Sequence, residues 1–167
     1  DRFGQVKPTV LIAADGYVYA NRRHTRLDRL SEVVAGLPSL EAVIVHGELD
    51  AQPGLGHVRE GNPGLPIVTF EQAVKAGRRA AAGGVAIDPD ALYPFDHPLY
   101  ILYSSGTTGV PKCIVHRAGG LLVKHLVEQQ LHCDIRPGDR VFCFTTCGWM
   151  MWNWLASALA SGATIVL

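Results

Sequence analysis

Short β-type runs separated by stretches of helical periodicity constrain this chain more than any other feature of its sequence. Val10 to Ala13 and Tyr17 to Tyr19 flank the turn dipeptide Asp15-Gly16, which fits a hairpin. From Arg26 onward, Leu27, Leu30, Val33, Val34 and Leu37 recur at three- and four-residue spacing, an apolar helical stripe that should stop near Gly36 and Pro38. Ala42 to His46 reads as a buried strand, 47–66 as a surface loop with several Gly and Pro, and Ile67-Val68 as another short strand. Thr69 and Gln72 have the spacing of a capping box opening a helix through Ala76; the Ala/Gly-rich segment 76–84 is either a helix end or a flexible connection.

The second half is more regular. Strand Leu99 to Tyr103, a Gly/Thr-rich loop, strand Cys113 to His116 and helix Leu121 to Leu131 are followed by an Arg136-Pro137-Gly138-Asp139 turn. Strand Val141 to Phe144, a helix around Trp149 to Ala160 and strand Thr164 to Leu167 complete the pattern. Strands alternating with helices predict an α/β fold, a mostly parallel sheet flanked by helices whose ligands sit beyond the carboxyl ends of the strands.

With 167 residues, 48% of them hydrophobic and 18% charged, the chain is long and apolar enough to bury a core. Its net charge of zero and pI near 7.2 remove the electrostatic case for nucleic acid or an anionic membrane as partner, so any bound anion must be held locally. The longest apolar run, Trp149 to Leu159, is interrupted by Asn153 and Ser157 and is too short to span a bilayer; a soluble, cytoplasmic protein is expected. Cysteines 113, 133, 143 and 147 show no C-x-x-C spacing and read as reduced, intracellular core residues. The seven histidines form no H-E-x-x-H pattern, so no metal site is expected from them. The start at Asp1 and the stop at Leu167, directly after an apolar run, read as cuts through a longer chain.

The densest chemistry lies in Tyr103-Ser104-Ser105-Gly106-Thr107-Thr108-Gly109-Val110-Pro111-Lys112, where four Ser/Thr hydroxyls, two glycines and a lysine fall within ten residues. Glycine lets backbone N–H groups approach an anion closely, hydroxyls donate further hydrogen bonds, and Lys112 brings a mobile positive charge. A polyphosphate is the ligand such a loop suits. The pattern differs from the Walker loop, whose lysine opens a helix, because Pro111 precedes Lys112 and a β-type run follows it.

The segment closely resembles the phosphate-binding motif of the adenylate-forming superfamily of acyl-CoA synthetases, luciferases and peptide-synthetase adenylation domains, [YF]-[ST]-S-G-[ST]-T-G-x-P-K. The surrounding text, from His97 to His116 and from Leu131 to the end, resembles the acetoacetate–CoA ligase branch of that superfamily, as does the opening DRFGQVKPTVLIAADGYVY. The resemblance implies a flavodoxin-like portion of the large N-terminal adenylation domain over residues 1–167, with the C-terminal domain absent. It also implies the reaction: acetoacetate, ATP and CoA give acetoacetyl-CoA, AMP and pyrophosphate through an acyl-adenylate. The alternatives are a ligase for another short carboxylate and a non-catalytic nucleotide-binding module.

By the same resemblance, Ser104, Ser105, Gly106, Thr107, Thr108, Gly109 and Lys112 contact the ATP phosphates, and Lys112 steadies the pyrophosphate leaving group. Trp149, Met150 and Met151 match residues that border the acyl pocket. Arg22 and Arg23 follow the expected hairpin where related enzymes carry arginines near the coenzyme A phosphate. The superfamily's Tyr-Gly-x-Thr-Glu, whose Glu helps hold Mg2+, and its ribose-binding Thr-Gly-Asp are missing from this sequence. The magnesium ligand is therefore expected in the remainder of the parent chain, and the 167-residue piece is expected to complete neither half-reaction alone. Cys147 has no nearby His and is not expected to act as a nucleophile. All three Trp and both Met fall within 149–154, and a helix so apolar on every side is expected to be buried.

Overall fold

A computed structural model describes residues 2–104 and 109–167. The chain divides into two units between Pro89 and Asp90.

The first unit opens with a short helix, α1 (Arg2–Val6), followed by β1 (Val10–Ala14), β2 (Gly16–Tyr19), β3 (Arg22–Thr25) and α2 (Leu27–Ala35). Then come β4 (Ala42–His46), α3 (Gly56–Glu60), β5 (Ile67–Thr69) and α4 (Phe70–Ala82). Strands β1, β4 and β5 form a parallel sheet with β4 in the middle. Strand β4 buries Val43 and Val45 on one face, while Ala42 and Ile44 on the other are only half-buried and His46 is exposed. Val43 and Val45 are 0% exposed and pack with Leu30 and Val34 of α2, Leu55, Val58 of α3 and Ile67.

Three expectations for this unit change. Val10 to Ala13 does not pair with Tyr17 to Tyr19: β1 runs parallel to β4, in register from Val10↔Ala42 to Ala14↔His46. The hairpin instead joins β2 to β3, antiparallel, around Ala20 and Asn21, both left-handed at φ 49° and 58°. Positive φ at both central residues is what a two-residue turn between right-twisted strands requires. Leu11 and Ala13 of β1 pack against the core cluster, and that burial decides the pairing. The segment 47–66 is not a bare loop either, because Leu55 and Val58 carry α3 into the core. Finally, the capping box at Thr69 and Gln72 forms as expected, but its helix continues to Ala82 through alanine-rich sequence that favours it.

The second unit begins with β6 (Pro98–Ser104) and β7 (Lys112–Arg117), followed by α5 (Ala118–Leu126), which ends in a π-helical turn, Val127–His132. It closes with β8 (Arg140–Phe142), α6 (Met151–Ser157), a 3-10 turn at Ala158–Ser161 and β9 (Thr164–Val166). Strands β8 and β9 are parallel and joined through α6, while β6 and β7 are antiparallel. The Arg136–Asp139 turn is closed by the Asp139 carboxylate, which accepts the Arg136 N–H at 2.7 Å. Ile135, Ala158 and Ala163 form its apolar core with Val141, Trp154 and Ile165 around them.

The architecture is thus α/β, with parallel strand pairs flanked by helices and two antiparallel hairpins. The four cysteines form no disulfide, and Cys133 and Cys147 are exposed and Cys113 and Cys143 only half-buried, so they are not core residues. Among the described residues, no helix is long and apolar enough to cross a membrane.

Candidate functional site

The Gly/Thr-rich loop leaves the carboxyl end of β6 and returns into β7, so it joins strand to strand. Ser104, half-buried, is the last residue of β6 and pairs in register with Lys112, the exposed first residue of β7. The hairpin therefore delivers a hydroxyl and an ammonium group at adjacent backbone positions across one ladder step. Gly109 is exposed with φ +149°, a conformation rarely adopted by side-chain-bearing residues, and a Cβ there would meet nothing within 4 Å. Its glycine is required by backbone geometry, and the open space in front of it suits close approach by a ligand. Ser105, Gly106, Thr107 and Thr108 lie outside the described residues.

Trp149 and Met150 sit just before α6, and Met151 is its first residue. They are exposed, at 73% for Trp149 and 60% for Met150, which overturns the expectation of a buried helix. In this unit α6 turns its Leu155 and Ala158 side toward the core, and the Trp149–Met151 end projects from it. Met150 lines a cleft of about 400 Å³ together with Leu102 of β6, His116 of β7, Lys124 and His125 of α5, and Asn153 of α6. The structure thus brings one predicted acid-pocket residue onto the same hairpin that carries Ser104 and Lys112.

Sequence reasoning missed the polar members of this cleft. The Asn153 amide accepts a hydrogen bond from the Tyr100 hydroxyl at 2.8 Å and donates one to the Met150 carbonyl. His125 is buried and its Nδ1 lies 2.9 Å from the Ser157 hydroxyl, which itself donates to the Trp154 carbonyl at 2.8 Å. Since that hydroxyl has one hydrogen, His125 Nδ1–H is the donor of the pair, leaving Nε2 as an acceptor in the neutral ring. Burial pushes the His125 pKa down, the Lys124 ammonium adds to this, and the Glu128 carboxylate opposes it. Burial also raises the Tyr100 hydroxyl above its ordinary value, so it stays a donor at neutral pH. The available signal was in plain view: Asn153 and Ser157 are the two polar breaks in the Trp149–Leu159 run.

Arg22 and Arg23 open β3 rather than following the hairpin, standing opposite Tyr19 and Val18. Both are exposed, and the Arg23 guanidinium donates to the Leu49 carbonyl at 2.5 Å. They belong to the unit before Pro89, whereas the loop and the Trp149–Met151 segment belong to the unit after it. Among the described residues, no three His, Cys, Asp or Glu side chains gather into a metal set.

The sequence profile of the family described as AMP-binding enzyme matches residues 3–167. The chain belongs to the AMP-binding enzyme family. Within that family it is 46% identical to an acetoacetyl-coenzyme A synthetase of Rhizobium meliloti (strain 1021) over 100% of this chain and 24% of that protein. It is 41% identical to the acetoacetyl-CoA synthetase of Gallus gallus, with the same coverage. It is 44% identical to a malonamoyl-CoA synthetase of Penicillium aethiopicum over 100% of this chain and 22% of that protein. Among solved structures, acetoacetyl-CoA synthetase from Streptomyces lividans matches with a TM-score of 0.78 and 44% identity, over 99% of this chain and 23% of that one. The chain thus spans about a quarter of the length of the curated relatives it matches.

Proposed function

We propose that the full-length protein containing this chain is an ATP-dependent acid–thiol ligase that converts acetoacetate, ATP and CoA to acetoacetyl-CoA, AMP and pyrophosphate. Residues 1–167 are, on this reading, a portion of its N-terminal adenylation domain. The observation that carries the proposal is 46% identity along the whole of this chain to an acetoacetyl-CoA synthetase.

In the first half-reaction an acetoacetate carboxylate oxygen attacks the α-phosphorus of ATP. The new bond is acyl O–P, the α–β phosphoanhydride breaks, and its electron pair leaves on pyrophosphate. Ser104, Ser105, Gly106, Thr107, Thr108, Gly109 and Lys112 take the β- and γ-phosphates, and Lys112 offsets the charge that builds on the leaving group. Fixed N–H donors, hydroxyls and an ammonium group stabilise developing phosphate charge effectively because little reorganisation is needed as the bond breaks. In the second half-reaction the CoA thiolate attacks the acyl carbon and AMP departs. Trp149, Met150 and Met151 border the acid, and Arg22 and Arg23 meet the coenzyme A phosphate. On this reading the residue that would hold the magnesium accompanying ATP lies in the remainder of the parent chain.

A second reading is favoured by the 44% identity to a malonamoyl-CoA synthetase: the acid is another short carboxylate with a carbonyl at carbon 3. Acetoacetate and malonamate share that carbonyl and differ by methyl against amino. Exchange of labelled pyrophosphate into ATP, run with the full-length protein and each acid in turn, separates the two. Exchange that requires acetoacetate and falls about 10- to 100-fold in Lys112→Ala is the expected result, from the loss of a charge-assisted contact. The lack of exchange with any short acid refutes the ligase reading and favours a non-catalytic nucleotide-binding module.

A further inference from the structure

Acetoacetate differs from butyrate only by the oxygen at carbon 3, so an enzyme that selects it needs a hydrogen-bond donor where that oxygen sits. An apolar pocket alone discriminates poorly between such acids, whereas a site built to bond a polar group rejects the analogue that lacks it. The Met150 cleft holds several groups with N–H donors; the charged ones, Lys124 and Arg117, are held on acidic partners, and His125 is turned to Ser157. Lys124 Nζ lies 2.9 Å from Glu128 Oε1 and 3.0 Å from Oε2. Arg117 donates to the Asp96 carbonyl at 2.6 Å. The Nδ1–H of His125 is directed at Ser157.

Asn153 differs from these. The Met150 carbonyl can only accept, so the amide nitrogen must face it, and the amide oxygen must then face the Tyr100 hydroxyl. That fixes the orientation of the amide from both sides. One N–H goes to Met150, and the second has no partner among the described residues. Asn153 lies one helical turn beyond Met150, on the same face, and both line the cleft.

We infer that the Asn153 amide, held in orientation by Tyr100, is the specificity-determining donor for the 3-carbonyl oxygen of the acid. The inference rests on the ligase reading above and names the substrate feature that its site recognises. Tyr100 acts through Asn153 and is a positioning residue.

The experiment compares kcat/KM for acetoacetate and for butyrate in the full-length protein, using acid-dependent pyrophosphate exchange, for wild type, Asn153→Leu, Tyr100→Phe and His116→Leu. Asn153→Leu keeps the branched shape and heavy-atom count and removes the donor; it should lower the acetoacetate value about 10- to 100-fold while butyrate stays within about 3-fold, because the bond exists only with the oxo-acid. Tyr100→Phe removes one of the two bonds that hold the amide and should lower the acetoacetate-to-butyrate ratio about 3- to 10-fold, a change that loss of general stability does not produce. An unchanged ratio in Asn153→Leu, an equal fall for both acids, or a ratio that moves only in His116→Leu overturns the inference. If Asn153→Leu fails to fold, an unchanged ratio in Tyr100→Phe overturns it instead. Wild-type protein that exchanges with an acid lacking the 3-carbonyl but not with acetoacetate refutes the acetoacetate reading, and the inference falls with it; no exchange with any short acid refutes the ligase reading itself.

Discussion

Asp15 is the residue whose removal should expose most clearly how the first unit is held together. Its side chain is 4% exposed and its carboxylate accepts the backbone N–H groups of Glu48 and Leu49 at 2.9 Å each and of Asp50 at 3.0 Å. The backbone of Asp15 is anchored separately: its N–H donates to the His46 carbonyl at 3.0 Å and its carbonyl accepts from Arg26 at 2.8 Å. Asp15→Ala therefore deletes the three side-chain bonds without cutting the strand loose. Hydrogen bonds to a charged group contribute about 1.5–3 kcal/mol each, but the freed amides of a surface turn regain water, so a net local loss of about 2–4 kcal/mol is expected. In native-state hydrogen exchange on the full-length protein, that is a fall of about 30- to 1,000-fold in protection at the amides of 48–50. Protection in β4 should change far less. Burial raises the Asp15 pKa, and the Leu49, Asp50 and Glu48 amides outweigh it and hold the carboxyl below its ordinary value. A depressed carboxyl contributes stability above its unfolded pKa, about 3.9, and loses it as pH falls through the lower folded value. Wild-type protection at these amides should accordingly persist to below pH 4 and then collapse, while Asp15→Ala shows no such step. Unchanged protection at 48–50 in Asp15→Ala would refute the clamp.

Gln129 is 0% exposed, and its amide donates to the Trp154 carbonyl at 2.8 Å and to the Ser157 hydroxyl at 2.9 Å while accepting from Ser161 at 3.1 Å. Gln129→Ala should cost about 3–5 kcal/mol from the cavity and the stranded polar groups, read as lost exchange protection in α5 and α6; a loss below about 1 kcal/mol contradicts the network. Thr69→Ala breaks the capping box and should cost about 1 kcal/mol, confined to the first turn of α4 and read at the Gln72 amide, with Thr69→Ser restoring it.

The elements legible in the sequence were those whose signal is local. The α2 stripe, the AVIVH strand and the Thr69 capping box each carry their own explanation within a few residues, and each forms. What failed depends on partners far along the chain. Whether Val10 to Ala14 turns back on Tyr17 or pairs with Ala42 is decided by the core that Leu11 and Ala13 join, and no window around Asp15 contains that choice. Asp15 itself looks like a turn residue because Asp-Gly favours turns, yet its carboxylate is spent on amides 33 to 35 residues away. At the candidate site the loop announced itself through composition, and its strand-to-strand setting was readable from the β-type run after Lys112. Arg22 and Arg23 were misplaced with the hairpin, because the turn lies at Ala20-Asn21 and the arginines start its second strand.

The missed residues of the cleft show why an apolar run should be read for its interruptions. Asn153 and Ser157 are four residues apart on α6, and each break in the apolar pattern is a hydrogen-bonding station. Asn153 meets Tyr100 of β6, and Ser157 meets His125 of α5 and Gln129 beyond it. Both stations fix the placement of α6: one ties its start to the hairpin that carries Ser104 and Lys112, the other ties its end to the buried Gln129–Ser161 pair. Because buried polar groups are costly unless fully satisfied, this arrangement favours a single placement of α6 against β6 and α5 more sharply than apolar contacts alone would. His125 belongs to both sets, lining the cleft while its Nδ1–H is held by Ser157. The buried Ser157, Gln129 and Ser161 bonds thus carry the placement of α6, while the part-buried Tyr100–Asn153 bond orients an amide at the cleft.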